Sequence, residues 1–146
     1  MPPFWWRARI RLRDSECHLT GEGFSSLRTG CEMTPSEGVQ RTCLGRAYYY
    51  VYNVSLANAR AMRFTGKMPS LHQQLWNWCQ KHADPNIKQI GLDGLRMHSL
   101  RIDADYKDSP IPNLAREVTI QLSRAQAIES LIARINGQTP PTALIP

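Results

Sequence analysis

Apolar and small residues recur at three- and four-residue steps through the middle of the chain. Val39, Cys43, Ala47, Tyr50, Val51, Val54, Ala57, Ala61 and Phe64 fall along one side of an α-helical spiral. This spacing predicts a long helix. Its expected start is Thr34-Pro35-Ser36-Glu37, where Thr34 caps the first backbone N–H groups, proline takes the first helical position and Glu37 closes a capping box. Gly66 is the expected stop. The run Tyr48-Tyr49-Tyr50-Val51-Tyr52 favours a strand by composition, but the longer period and the start signal outweigh it. Ser70 opens a shorter helix with Leu71, Leu75, Trp78 and Cys79 on one side; of Trp76 and Trp78, one is expected inside and the other at the surface. Asp84-Pro85 repeats the cap-plus-proline signal and predicts a helix over residues 86–106. Gly91 and Gly94 each weaken that helix by about 1 kcal/mol relative to alanine, so a kink or break is expected there. After Pro110 and Pro112, Asn113 caps a last helix carried by Leu114, Val118, Leu122, Ala125, Ile128, Ile132 and Ile135, and Asn136-Gly137 ends it.

The ends of the chain are less regular. Trp6, Ala8, Ile10 and Leu12 alternate with arginines as in a strand, while Phe4, Ala8 and Leu12 also fall at helical spacing, so residues 4–18 remain open on pattern alone. Residues 20–33 are rich in glycine, serine and threonine and read as a loop; residues 138–146 read as a flexible tail. The expected fold is all-α, an antiparallel bundle of four to five helices forming one domain over residues 1–137.

Composition sharpens this picture in three ways. With 146 residues, 42% hydrophobic and 21% charged, the chain can bury a core without a metal or disulfides. No apolar run approaches the roughly 20 residues that span a bilayer, and arginines interrupt the N-terminus at once, so neither a membrane span nor a signal peptide is expected and the cytoplasm is the default location. Cys17, Cys31, Cys43 and Cys79 form no Cys-x-x-Cys pair; no metal or other cofactor is expected, and the thiols are read as unpaired core residues. The net charge of +6, concentrated in part at Arg7, Arg9, Arg11 and Arg13, favours nucleic acid as a partner.

Two stretches carry a family resemblance. Leu44-Gly45-Arg46-Ala47-Tyr48-Tyr49-Tyr50-Val51-Tyr52-Asn53 resembles the Ser-Arg-Ala-Tyr-Tyr-Ala segment on the long second helix of many HEPN domains. Leu100-Arg101-Ile102-Asp103-Ala104-Asp105-Tyr106 resembles the Leu-Arg-x-x-Ala-Asp-Tyr segment on a later helix of the same domains. The resemblance covers roughly residues 36–136 and implies a HEPN-like bundle of the toxin–antitoxin and defence kind, in which residues 4–18 form an opening helix. It also implies a homodimer, RNA or a nucleotide as ligand, and a nucleotidyltransferase-type protein as a possible partner.

The resemblance places candidate chemistry at Arg101. RNA-cutting members of the family follow such an arginine, about a turn later, with a histidine that draws the ribose 2′-hydroxyl proton while the cation stabilises charge on the phosphate. Here Tyr106 stands in that position, and tyrosine, with a pKa of about 10, is a poor base at neutral pH. Ribonuclease activity is therefore expected to be weak or absent. His98, three residues before Arg101 and on the same helix face, is the nearest imidazole. The candidate catalytic set is Arg101, Tyr106 and His98; the candidate binding set is Arg46, Tyr49, Asn53 and Asp105. Each has a structural counterpart: an ion pair between Arg101 and Asp105, a cross-helix pair between Arg46 and Asp105, and core or interface packing of the tyrosines. His18, His72 and His82 lie outside both motifs and receive no role. Two further readings stay open: a non-enzymatic interaction module, and an active metal-independent ribonuclease.

Overall fold

A computed structural model of the chain describes residues 36–137. The expected helix over residues 4–18, the loop over residues 20–33, the Thr34 cap and the tail over residues 138–146 lie outside the described residues. Those described form four helices and no strand: α1 (Glu37–Ala61), α2 (Leu71–Lys81), α3 (Pro85–Tyr106) and α4 (Leu114–Ile135). The expected all-α bundle is present. Among the described residues, no helix is long and apolar enough to cross a membrane.

Helix α3 is central and packs against each of the other three. It runs antiparallel to them: Arg41 near the start of α1 meets Ala104 and Lys107 at its end, Cys79 of α2 meets Gly91, and Arg124 of α4 approaches Asp93. The core between the helices is led by Trp76, Tyr48, Leu75, Met97, Ile128 and Val51, all essentially inaccessible to solvent. The tyrosine-rich run is wholly helical. Its strand propensity yields because Tyr48, Val51 and Tyr52 project into this core while Tyr49 does not.

The helix boundaries follow the sequence signals with three corrections, one of them at α4, where Asn113 takes the N-cap position in the left-handed conformation (φ 52°) without the expected side-chain cap. At the start of α1, Ser36 occupies the N-cap without a side-chain hydrogen bond, and Glu37 pairs with Arg41 at 2.9 Å instead of closing a capping box. At its end, the helix stops short of Gly66. Arg63 takes the left-handed conformation (φ 67°), and the Phe64 N–H donates to the Ala59 carbonyl at 3.0 Å. The driving force is burial of Phe64, whose ring packs against Trp78 with centroids 5.6 Å apart. Asp84 behaves as read: its carboxylate accepts the Asn86 N–H at 2.7 Å, ahead of Pro85 in the first turn of α3.

Two further expectations change. Gly91 and Gly94 do not break α3; they let α2 come close. A Cβ at Gly91 would lie 2.8 Å from the Gln80 backbone nitrogen, and one at Gly94 would lie 2.5 Å from Trp76 Cε3. Trp76, not Trp78, is consequently the residue on the buried side of α2. Among the cysteines, Cys79 is a free buried thiol pushed up to about 12 by burial, as a core residue should be. Cys43 is disulfide-bonded, which departs from the expectation of unpaired thiols.

One arginine closes the end of α3. The last carbonyls of a helix lack intrahelical partners and carry the negative end of its dipole. From α1, Arg41 Nη1 donates to the carbonyls of Ala104 (3.0 Å) and Lys107 (2.9 Å), and Nη2 donates to Ser109 (2.9 Å). Replacing Arg41 with methionine keeps the stem and removes these charge-assisted bonds. It is expected to cost about 2–3 kcal/mol, read as a lower urea midpoint at unchanged slope.

Candidate functional site

The site grows from three helix faces that converge beside α3. Tyr48, Tyr49 and Tyr52 share one side of α1; His72 and Trp76 lie one turn apart on α2; His98, Arg101 and Asp105 follow at three- and four-residue steps on α3. Because α1 and α3 are antiparallel, Tyr48 meets His98 and Tyr49 meets Arg101.

The outer part of the site is built around the Arg101 guanidinium. Its Nη2 donates to the Tyr49 hydroxyl at 2.7 Å. Its buried Nε lies 2.8 Å from Asp105 Oδ2, an ion-pair distance without the alignment of a hydrogen bond. The guanidinium carbon sits 5.0 Å from the Tyr49 ring centroid and 5.3 Å from that of Tyr106, so the cation is within cation–π range of two aromatic rings. These rings remain open to solvent, Tyr49 at 41% and Tyr106 at 71%, whereas only 13% of the Arg101 side chain is exposed. Burial works against the Arg101 charge, but Tyr49, Asp105 and Tyr106 outweigh it, and the net effect raises its pKa.

The inner part is a stack of rings. His72 lies nearly parallel to Tyr52, with centroids 3.8 Å apart, and to His98 at 5.5 Å. His98 in turn stacks on Tyr48 at 5.1 Å. Trp76 Nε1 donates to the Tyr48 hydroxyl at 3.3 Å, leaving the hydroxyl proton to be donated to His72 Nδ1, 2.5 Å away. In that arrangement, the tautomer in which Nδ1 accepts the Tyr48 hydroxyl proton carries its own proton on Nε2. Burial lowers the pKa of His72, with His98 and Arg101 adding to the effect; burial and then Arg101 lower that of His98. Both imidazoles are therefore neutral at neutral pH. Burial pushes the Tyr48 phenol well above its usual range, so it acts as a hydrogen-bonding group and not as a base.

The structure thus brings together five of the seven residues singled out from sequence: Tyr49, His98, Arg101, Asp105 and Tyr106. The Arg101–Asp105 ion pair forms as expected. Arg46 and Asn53 stand apart. They lie about a quarter-turn around α1 from the cluster, on the side where the Tyr50 hydroxyl donates to Glu129 of α4 at 2.6 Å. No Arg46–Asp105 pair forms, because Asp105 packs beside Gly45 and is engaged by Arg101. His72 is the functional side chain that sequence reasoning passed over. The nearest signal was its i, i+4 spacing from Trp76, which places it on the face of α2 turned towards α3. Among the described residues, no three His, Cys, Asp or Glu side chains gather to hold a metal ion. A separate groove of about 360 Å³, lined by residues including Leu100, Asp103, Lys107, Ile111 and Glu117, opens at the turn into α4 on another face of α3.

The fold and site define an all-α bundle carrying a tyrosine–arginine step over a histidine pair. Comparison with family models, with curated proteins and with solved structures gives no match.

Proposed function

We propose that the chain is a HEPN-like RNA-binding protein of a toxin–antitoxin or defence system, acting in the cytoplasm as a homodimer, with weak or no ribonuclease activity. The supporting observation is the Arg101 guanidinium within cation–π range of the exposed residues Tyr49 and Tyr106. Exposed aromatic faces stack on unpaired bases, at about 1–3 kcal/mol per base, and a neighbouring cation adds electrostatic attraction for the backbone phosphates. The net charge of +6 adds long-range attraction for the same ligand. Weak cleavage follows from the partners of Arg101: Asp105 and Tyr49 already engage its guanidinium, and Tyr106 offers a ring face where a base would be required.

Fluorescence anisotropy with a labelled, unstructured single-stranded RNA tests this reading. Binding is expected at low salt and should weaken steeply as salt rises. Tyr106→Ala, at an exposed position, should weaken binding about fivefold to about a hundredfold without changing stability. Arg101→Ala should weaken it further. Absence of binding at low salt overturns the proposal. Rapid RNA cutting by the wild type but not by Arg101→Ala would establish a true ribonuclease instead.

A further inference from the structure

We propose that Arg101, His72 and His98 form a subsite for a tetrahedral oxyanion of the phosphate class, and that filling it places a proton on His98. The inference deepens the RNA-binding reading, on which it rests for its natural ligand. The geometry brings the imidazoles of two helices to 5.5 Å between ring centroids, with Arg101 near enough to act electrostatically on both. With Nδ1 accepting from Tyr48, neutral His72 presents Nε2–H. Nε2 of His72 and both ring nitrogens of His98 have no hydrogen-bond partner among the described residues. The imidazole planes lie 14° from parallel, with Tyr52 against His72 at 3.8 Å and Tyr48 about equally close to both imidazoles, at 5.7 Å from His72 and 5.1 Å from His98 by ring centroids.

What the cluster lacks is an anion for an imidazolium. From α1 it receives the phenols Tyr48, Tyr49 and Tyr52, the last of which feels Arg60; from α2, His72 and Trp76; from α3, His98, Arg101, Asp105 and Tyr106. Neither imidazole interacts with a group of α4. The only carboxylate in the set, Asp105, is paired with Arg101. Burial and the permanent Arg101 charge therefore both favour neutral His98. A bound phosphate oxygen supplies the missing negative charge, and by linkage the ligand and the proton then strengthen each other. His98 takes the proton rather than His72, since protonating His72 Nδ1 would displace the Tyr48 hydroxyl proton from its acceptor.

Sulfate is the probe, because it does not titrate over the relevant range. The imidazole nitrogens of uniformly 15N-labelled wild-type protein are followed by NMR from about pH 5 to about pH 8, with and without sulfate. Saturating sulfate is expected to raise the proton affinity of His98 about tenfold and to move His72 less. Sulfate affinity should rise about tenfold as pH falls from about 7.5 to about 5.5, and His98→Gln should flatten that rise. Oligoribonucleotides with and without a 5′-phosphate identify the source: an equal shift of His98 with both assigns the subsite to internal phosphodiesters, and a shift only with the former assigns it to the terminal group. If sulfate leaves His98 unmoved, the subsite is overturned. If RNA binds while His98 still does not move, the subsite falls alone. If RNA fails to bind while sulfate shifts His98, the RNA reading falls alone.

Discussion

Trp76→Ala is expected to remove about 3–5 kcal/mol of stability, the largest loss from any single truncation in this core. Trp76 is completely buried. Its ring meets Tyr48 and Tyr52 edge-on, with centroids 6.3 Å away in each case, and covers the backbone of α3 at Gly94. Alanine would leave a cavity between three helices and deprive the Tyr48 hydroxyl of its 3.3 Å donor. Neighbouring rings are themselves stacked and cannot collapse inward cheaply. Against a total stability of about 5–15 kcal/mol for a domain of this kind, such a loss removes much of the margin. Urea unfolding followed by circular dichroism should show a much lower midpoint at similar slope. A loss below about 1 kcal/mol would contradict the packing of α2 on α3 described above.

Gly94→Ala is expected to destabilise by about 2 kcal/mol even though it improves helix propensity. Two effects compete. Alanine in a helix interior is favoured over glycine by about 1 kcal/mol. Against this, the added methyl would sit 2.5 Å from Trp76 Cε3, and an indole wedged in a core cannot yield as a flexible side-chain end does. Overpacking of this kind costs about 1–3 kcal/mol, and more when the obstacle is rigid, so the clash wins. Gly38, which has nothing within 4 Å of its Cβ position, isolates the propensity effect: Gly38→Ala should stabilise by up to about 1 kcal/mol. Combining Gly94→Ala with Trp76→Leu should cost less than the sum of the two changes, since the smaller side chain makes room for the methyl. Additive losses in this double-mutant cycle would show that the indole does not set the separation of α2 and α3.

These two positions also show what was legible in the sequence. The start of α3 was readable, because Asp84-Pro85 acts within one turn of itself. The side of α2 that is buried was not. Trp76 and Trp78 both flank the line through Leu75 and Cys79, and the choice between them is made by the glycine notch on α3, which belongs to another helix. Read locally, Gly91 and Gly94 weaken a helix; read in the fold, they are where a second helix enters. The stop of α1 shows the same limit, since burial of Phe64 fixes it and Arg63 supplies the left-handed turn ahead of Gly66. At the candidate site, the motif on α3 located Arg101, Asp105 and Tyr106, and helical spacing placed His98 with them. His72 joins only because α2 and α1 are both antiparallel to α3, a relation that no spacing along the chain encodes.

The Arg41 clamp reaches beyond the stability of the helix it closes. Tyr106 is the last residue of α3, and helix ends ordinarily fray on fast timescales. The carbonyls of Ala104 and Lys107 on either side of it are gripped from α1, so its ring stands on an anchored strut instead of a loose end. The backbone beneath the most solvent-exposed ring of the site is thus pinned by a residue that does not belong to the ring cluster. Ligand contacts with Tyr106 consequently need little additional ordering of the chain, and its placement is inherited from the opening turns of α1.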